Sequence, residues 1–227
     1  MKKEIHLLTQ ALNKPLPGVN AHQLMSPSVR FTGRIQYDKS NARVSSVLIL
    51  LYKKNDEWFV PLIQRPQYDG AHSGQVSFPG GKFEEDDQSL LDTALREANE
   101  EIGVERESLQ FINELSSLYI PNSNFIVYPQ VCITEIEPSF IADLREVETV
   151  IEAPVKELIS PQTIKSFSRT INGVKVKAPF YKIEDYVIWG ATAMIMSEFL
   201  SLIKTTGLFN TNHLSHSYNA CNAPECR

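Results

Sequence analysis

Glu97, Glu100 and Glu101 stand close together in the stretch EANEEIGV, and Gly103 follows at once. At 100° per residue the three fall within about a third of a helix circumference, so their carboxylates converge on one patch. Like charges three and four apart repel, and the negative pole of the helix dipole lies at this same end; each effect is worth some tenths of a kcal/mol and both are unfavourable. A solvated acidic face is the commonest reason for such a run. Its place at the wrong helix end, behind the glycine pair Gly80 and Gly81, favours a divalent cation that turns repulsion into coordination. Hard carboxylate oxygens suit Mg2+ or Mn2+, which also hold water and substrate phosphates. Neither glycine carries a side chain, so backbone can approach the same ion. Cations so placed neutralise a diphosphate, orient it and lower the pKa of bound water.

The patch needs a helix behind it. Leu91, Ala94, Leu95, Ala98 and Ile102 recur at helical spacing as one apolar stripe. Asp86 or Asp87 is expected to cap the start and Gly103 to stop the end. Upstream, Val44–Leu51 reads as a buried strand and Glu57–Arg65 as its hairpin neighbour across the polar turn YKKND. The long loop PQYDGAHSGQVSFPGG that follows is expected to be functional or disordered. Downstream, SLYIPNSNFIVYPQVCITEI holds strand material broken at Pro121 and Asn122. Residues 146–159 suggest a strand and a short helix, VKVKAPFYKI and YVIWG further strands, and ATAMIMSEFLSLIKTT a closing helix. The N-terminal part suggests one short helix and an irregular, proline-punctuated lead-in. The pattern predicts a layered α/β/α domain over residues 31–205, with residues 1–30 as helix and lead-in packed on it and residues 206–227 as a flexible tail.

Composition removes several classes. The 227 residues are 42% hydrophobic and 22% charged with a formal net charge of −5, values of an ordinary globular protein without a basic stripe for nucleic acid. No apolar run approaches the roughly 20 residues of a membrane helix, and the N-terminal stretch lacks the pattern of a signal peptide, so a reduced, cytoplasmic protein is expected. Cys132 falls in an expected strand. Cys221 and Cys226, with His213 and His216, lie in a polar tail whose spacings are not those of familiar zinc modules, and this segment reads as frayed.

The segment Phe78–Val104 resembles the Nudix box: glycine, five residues, glutamate, seven residues, then R-E-U-x-E-E-x-G-U, where U is apolar. REANEEIGV, Arg96 to Val104, supplies the second half. Counting back from Arg96 puts Gln88 at the first glutamate and Lys82 at the glycine, so the loop carries one extra residue and Asp87 or Glu85 is the replacement carboxylate. The resemblance implies a Nudix hydrolase fold, a mixed β-sheet flanked by helices. It implies Glu97, Glu100 and Glu101 as metal ligands with the Gly81 carbonyl, and Arg96 holding the loop or a glutamate by ion pairing. Glu100, Glu135 and Glu137 remain open as general base.

LIQRPQYDGAHSGQVSFPGG is similar to the signature ahead of the box in the coenzyme A pyrophosphatase branch of that family. Arg65, Gly74 and Phe78 to Gly81 fall on its positions, while Ile63, Pro66 and Gly70 depart from it. LPGVNAHQLMSPSVR and VIWGATAMIMSEFLSLI also resemble the branch, although Trp189 and Thr192 read more simply as core and helix-start residues. The branch implies metal-dependent hydrolysis of the diphosphate of coenzyme A or its thioesters, with Arg65 and His72 meeting anionic oxygens and Gly74, Gly80 and Gly81 shaping the site. Alternatives are another nucleoside diphosphate derivative, such as ADP-ribose, or a nucleotide-sensing module without turnover. The expected partner is a small nucleotide, with a homodimer left open and neither nucleic acid nor membrane involved.

Overall fold

The computed structural model describes residues 1–28, 39–67, 74–171 and 174–209. Helices α1 (Lys2–Leu12) and α2 (Val19–Leu24) precede a hairpin of β1 (Arg43–Lys54) and β2 (Glu57–Gln64). Two short strands, β3 (Val76–Ser77) and β4 (Gly80–Lys82), lead into helix α3 (Leu90–Ile102). Then come β5 (Gln110–Glu114), β6 (Leu118–Ile120), β7 (Phe125–Ile133), β8 (Thr149–Pro154) and helix α4 (Val155–Ile159). The meander β9 (Ile164–Ile171), β10 (Val174–Ile183) and β11 (Tyr186–Trp189) runs into α5 (Gly190–Ile203).

Strand β1 explains the layering. Leu48, Leu50 and Tyr52 alternate with Ile49 and Leu51, and all five are fully inaccessible, so both faces of the strand are covered. One face meets Ala94, Leu95, Ala98 and Ile102 of α3. The other belongs to a larger core with Ile5, Leu8 and Leu12 of α1 and Met194 and Phe199 of α5. β1 runs parallel to β7 from Arg43–Phe125 to Leu51–Ile133 and antiparallel to β4 over Ser45–Val47. It pairs with β2 only near the hairpin, whose turn residues Asn55 and Asp56 have φ of 51° and 62°, as a tight primed turn demands. The result is a mixed sheet flanked by helices, beside a three-stranded meander. That is the architecture expected from the strand and helix pattern.

Some elements differ from expectation. Helix α2 and strand β9 were not anticipated, and the long loop before α3 contains β3 and β4. The cap of α3 is neither Asp86 nor Asp87: Ser89 Oγ accepts the Asp92 N–H at 3.1 Å. Gly103 ends the helix in the left-handed region, as expected. Gly70, His72 and the tail residues His213, His216, Cys221 and Cys226 lie outside the described residues. No helix among the described residues is long and apolar enough to cross a membrane.

Candidate active site

Helix α3 delivers Glu97 and Glu101 to β4 and turns Glu100 outward. Glu101, 1% exposed, accepts the Gly80 N–H at 2.8 Å through Oε2, while Oε1 lies 3.7 Å from Arg65. Glu97, one turn earlier, lies against Gly81 where no side chain intervenes. Glu100 faces outward with its side chain 59% exposed. Arg96 Nη1 donates to Glu97 at 2.9 Å and to Glu100 at 3.3 Å. β4 is held in place by β1, with Leu48 N–H donating to the Pro79 carbonyl at 2.8 Å and Phe83 N–H to the Val44 carbonyl at 3.0 Å.

Of the two candidates for the missing first carboxylate of the box, Asp87 is the one that meets Arg96. Arg96 donates to it through Nε at 2.9 Å and Nη2 at 3.1 Å, and the Glu84 N–H and Thr93 hydroxyl add bonds of 2.9 Å each. Arg96 also reaches the Lys82 carbonyl at 3.2 Å, so it binds the whole loop to α3. Glu85 is exposed. The Arg96 hydrogen bonds hold the Asp87 carboxyl down to about 2. Asp87→Asn is therefore expected to lower stability at pH 7 by about 1–2 kcal/mol. The folded pKa of Asp87 is depressed, so this contribution is present above its ordinary value and lost as pH falls through about 2. Urea melts of both proteins should converge in strong acid.

The inward glutamates are shifted the other way. Burial pushes Glu101 up to about 7, against the Gly80 N–H and Arg65, and Glu97 and Glu146 raise it further. Burial also raises Glu97, with Arg96 opposing. Glu146 lies in the loop before β8, which the Asp143 N–H ties to the Glu101 carbonyl at 3.0 Å, and nothing in its local sequence marks it. The other downstream glutamates do not belong here. β7 parallels β1 and ends opposite Leu51, about 13 Å along the strand from Val47 beside β4. Glu137 consequently acts on Tyr52 and Lys54 at that far end, and Glu135, two residues past β7, leaves from the same end. The topology removes Glu135 and Glu137 as bases.

A cavity of about 710 Å³ opens beside the carboxylates. Arg65, Gly80, Gly81 and Lys82 line one end, and Val47, Phe125, Val176 and Ile195 line the rest. Gly74, at φ 64°, donates its N–H to the Pro66 carbonyl at 3.1 Å and does not line the cavity. Trp189 and Thr192 do more than start α5: both line the cavity, and the Thr192 hydroxyl ties α5 to β3 through the Val76 carbonyl at 3.0 Å.

Among the described residues no three His, Cys, Asp or Glu side chains form a ready cage for a metal ion. The donor chemistry nevertheless fits a hard divalent cation. Burial raises both Glu97 and Glu101 from the ordinary carboxylate value, and Arg96 and Arg65 do not offset it, which leaves room for further positive charge beside the pair. The sequence itself matches the NUDIX domain model over residues 42–170, more than half of the chain. The chain belongs to the Nudix family. It is 30% identical over 174 residues to the uncharacterized Nudix hydrolase NudL of Yersinia pestis (strain Pestoides F), covering 77% of this chain and 86% of that protein. NudL of Yersinia pseudotuberculosis serotype O:1b matches to the same extent. Among solved structures, the Nudix hydrolase RenU of M. Smegmatis overlaps 73% of this chain and 86% of its own, at 12% identity and a TM-score of 0.49. As a Nudix hydrolase the chain is an enzyme acting on nucleoside diphosphate derivatives, and Nudix hydrolases generally use divalent cations.

Proposed function

We propose that this Nudix hydrolase uses Mg2+ or Mn2+ to cleave the diphosphate of coenzyme A or its thioesters, giving 3′,5′-ADP and 4′-phosphopantetheine or its acylated form. One observation carries the reading. Arg65, Phe78, Gly80 and Gly81, the described residues of the signature similar to the coenzyme A branch that reach the cavity, line it next to Glu97 and Glu101. Glu97, Glu100 and Glu101 with the Gly81 carbonyl would hold the cations, which when bound neutralise phosphate oxygens and acidify the attacking water. The Gly80 N–H fixes the Glu101 carboxylate. Arg65, 30% exposed, presents its guanidinium fork to anionic oxygens entering the cavity.

Glu146 takes the proton of the attacking water, whose oxygen bonds to one phosphorus as the bridging P–O bond breaks and the departing phosphate keeps the electron pair. Glu100, paired with Arg96 on the outer face, is placed less well for this. Glu146→Gln is expected to lower kcat by about 10²–10⁴-fold with KM nearly unchanged; an unaltered kcat would remove Glu146 from the mechanism. The buried Cys132 thiol, pushed up to about 12 by burial, is inert, and the reducing cytoplasm is the proposed compartment.

Incubation with Mg2+ and a panel of coenzyme A, acetyl-coenzyme A, ADP-ribose and diadenosine polyphosphates tests the reading. Cleavage of the coenzyme A compounds without ADP-ribose turnover is expected. Turnover of ADP-ribose alone would replace the substrate while leaving the site intact, and binding without products would make the chain a sensing module.

A further inference from the structure

Glu198 is a carboxylate that neither the box nor the proposed chemistry uses. It lies in α5 with 0% exposure, where an ion is tolerated only if fully partnered. Its partners come from two separate segments. Oε1 accepts the Gly18 N–H at 2.9 Å, just ahead of α2. Oε2 accepts the Ser116 N–H at 3.1 Å, in the connection between β5 and β6, and lies 3.1 Å from Nε2 of His22, itself 3% exposed. Burial alone would raise the carboxyl; His22 and the backbone donors outweigh it and hold Glu198 below its usual value.

Each joined segment continues into the cavity wall. Ala191 and Ile195 line the cavity, and at i, i+4 and i+7 they share one face of α5 with Glu198. The β5–β6 connection leads to Ile120 and Asn122, and the α2 segment to Pro27, all of which line the cavity. A second bond, from the Ser197 hydroxyl to the Ala21 carbonyl at 2.9 Å, couples α5 to α2 beside the first. Three walls therefore meet at one carboxylate, whose bonded partners do not include Glu97, Glu100 or Glu101.

We propose that Glu198, with His22, is a positioning residue for the substrate cavity, setting the separation of its walls and so substrate affinity while leaving the chemical step alone. The proposal holds for whichever panel compound the wild type turns over. Two variants test it. His22→Leu removes one donor and leaves Gly18 and Ser116 in place; Glu198→Gln places an amide N–H against at least one of the backbone N–H groups. Both should raise KM by about tenfold with kcat within about twofold of wild type, the signature of lost binding common to ground and transition states. His22→Gln, which retains a donor, should restore KM.

A readout without turnover keeps the proposal open to refutation even where a variant is too unstable to assay at working temperature. Trp189 lines the cavity, and in a Trp58→Phe background it is the sole tryptophan of the chain. Its emission maximum and its quenching by acrylamide should change in His22→Leu and Glu198→Gln at temperatures where circular dichroism shows both folded. A lower melting temperature with wild-type KM and unchanged Trp189 emission would reduce the pair to a structural clamp and overturn the proposal.

Discussion

Glu101→Gln should abolish turnover, with kcat down by about 10³-fold or more, and at the same time stabilise the cation-free protein at pH 8. The two effects share one cause. The side chain is 2% exposed, and among the described residues its oxygens meet the Gly80 N–H and a distant Arg65. Its folded pKa of about 7 exceeds the ordinary value of 4.5. For an acid raised in this way, the stability supplied by the neutral form is complete below about 4.5 and is lost as pH climbs through 7. The wild type in EDTA should therefore weaken by about 3 kcal/mol between pH 4.5 and 8, a fall in Tm on the order of 5–10 °C. The glutamine variant has no carboxyl to ionise at this position and still offers Gly80 an oxygen, so its Tm should fall by much less than the wild type's over that range. Mg2+ or Mn2+ should restore the wild type at pH 8 and leave the variant unmoved. A variant that melts below wild type at pH 8 in EDTA would show Arg65 to be a sufficient counter-charge, with no place for a cation.

The adjacent glycines should behave oppositely to each other. A Cβ on Gly80 would land on the Ser46 carbonyl oxygen and the Val47 Cα, both rigid backbone of β1, and the φ of 149° already disfavours any side chain. Gly80→Ala should cost about 3 kcal/mol or more and lower the yield of folded protein. The first atoms a Cβ on Gly81 would meet are those of the Glu97 carboxylate. A side chain can swing away, so Gly81→Ala should keep a near wild-type Tm while displacing Glu97, with kcat falling by about 10²-fold. Equal destabilisation in both would mean that the approach of Glu97 to Gly81 serves packing only.

Much of this was legible because hydrophobic spacing and the glycine–glutamate spacing are local signals. The stripe of α3, the stop at Gly103, the existence of a polar hairpin turn between β1 and β2 and the strand β10 all follow from neighbours in sequence. What was not legible depends on pairing at a distance. β4 reads as loop because two of its three residues are glycines, and it is a strand only because Ser45–Val47 of β1 offers an edge. Asp87 fits a helix cap as well as it fits Arg96; the extra loop residue carries it to Arg96 and leaves Ser89 to cap. Glu100 shares the helix sector of Glu97 and Glu101, yet β4 covers only part of that sector, and Glu100 falls outside it. Glu135 and Glu137 precede Glu146 in sequence, but the parallel pairing of β7 with β1 sends them away from the site, and the loop that carries Glu146 returns to the end of α3 through the Asp143 N–H on the Glu101 carbonyl.

The central claim is that the acidic end of α3 exists to hold divalent cations against a substrate's diphosphate. Electron paramagnetic resonance of free Mn2+, titrated with wild-type protein and with the Glu97→Gln/Glu101→Gln double variant at pH 8, tests it without any assumption about substrate. The signal of free Mn2+ should fall in proportion to added wild-type protein and persist when the double variant is added. Equal uptake by both proteins, or uptake by neither, would contradict the account.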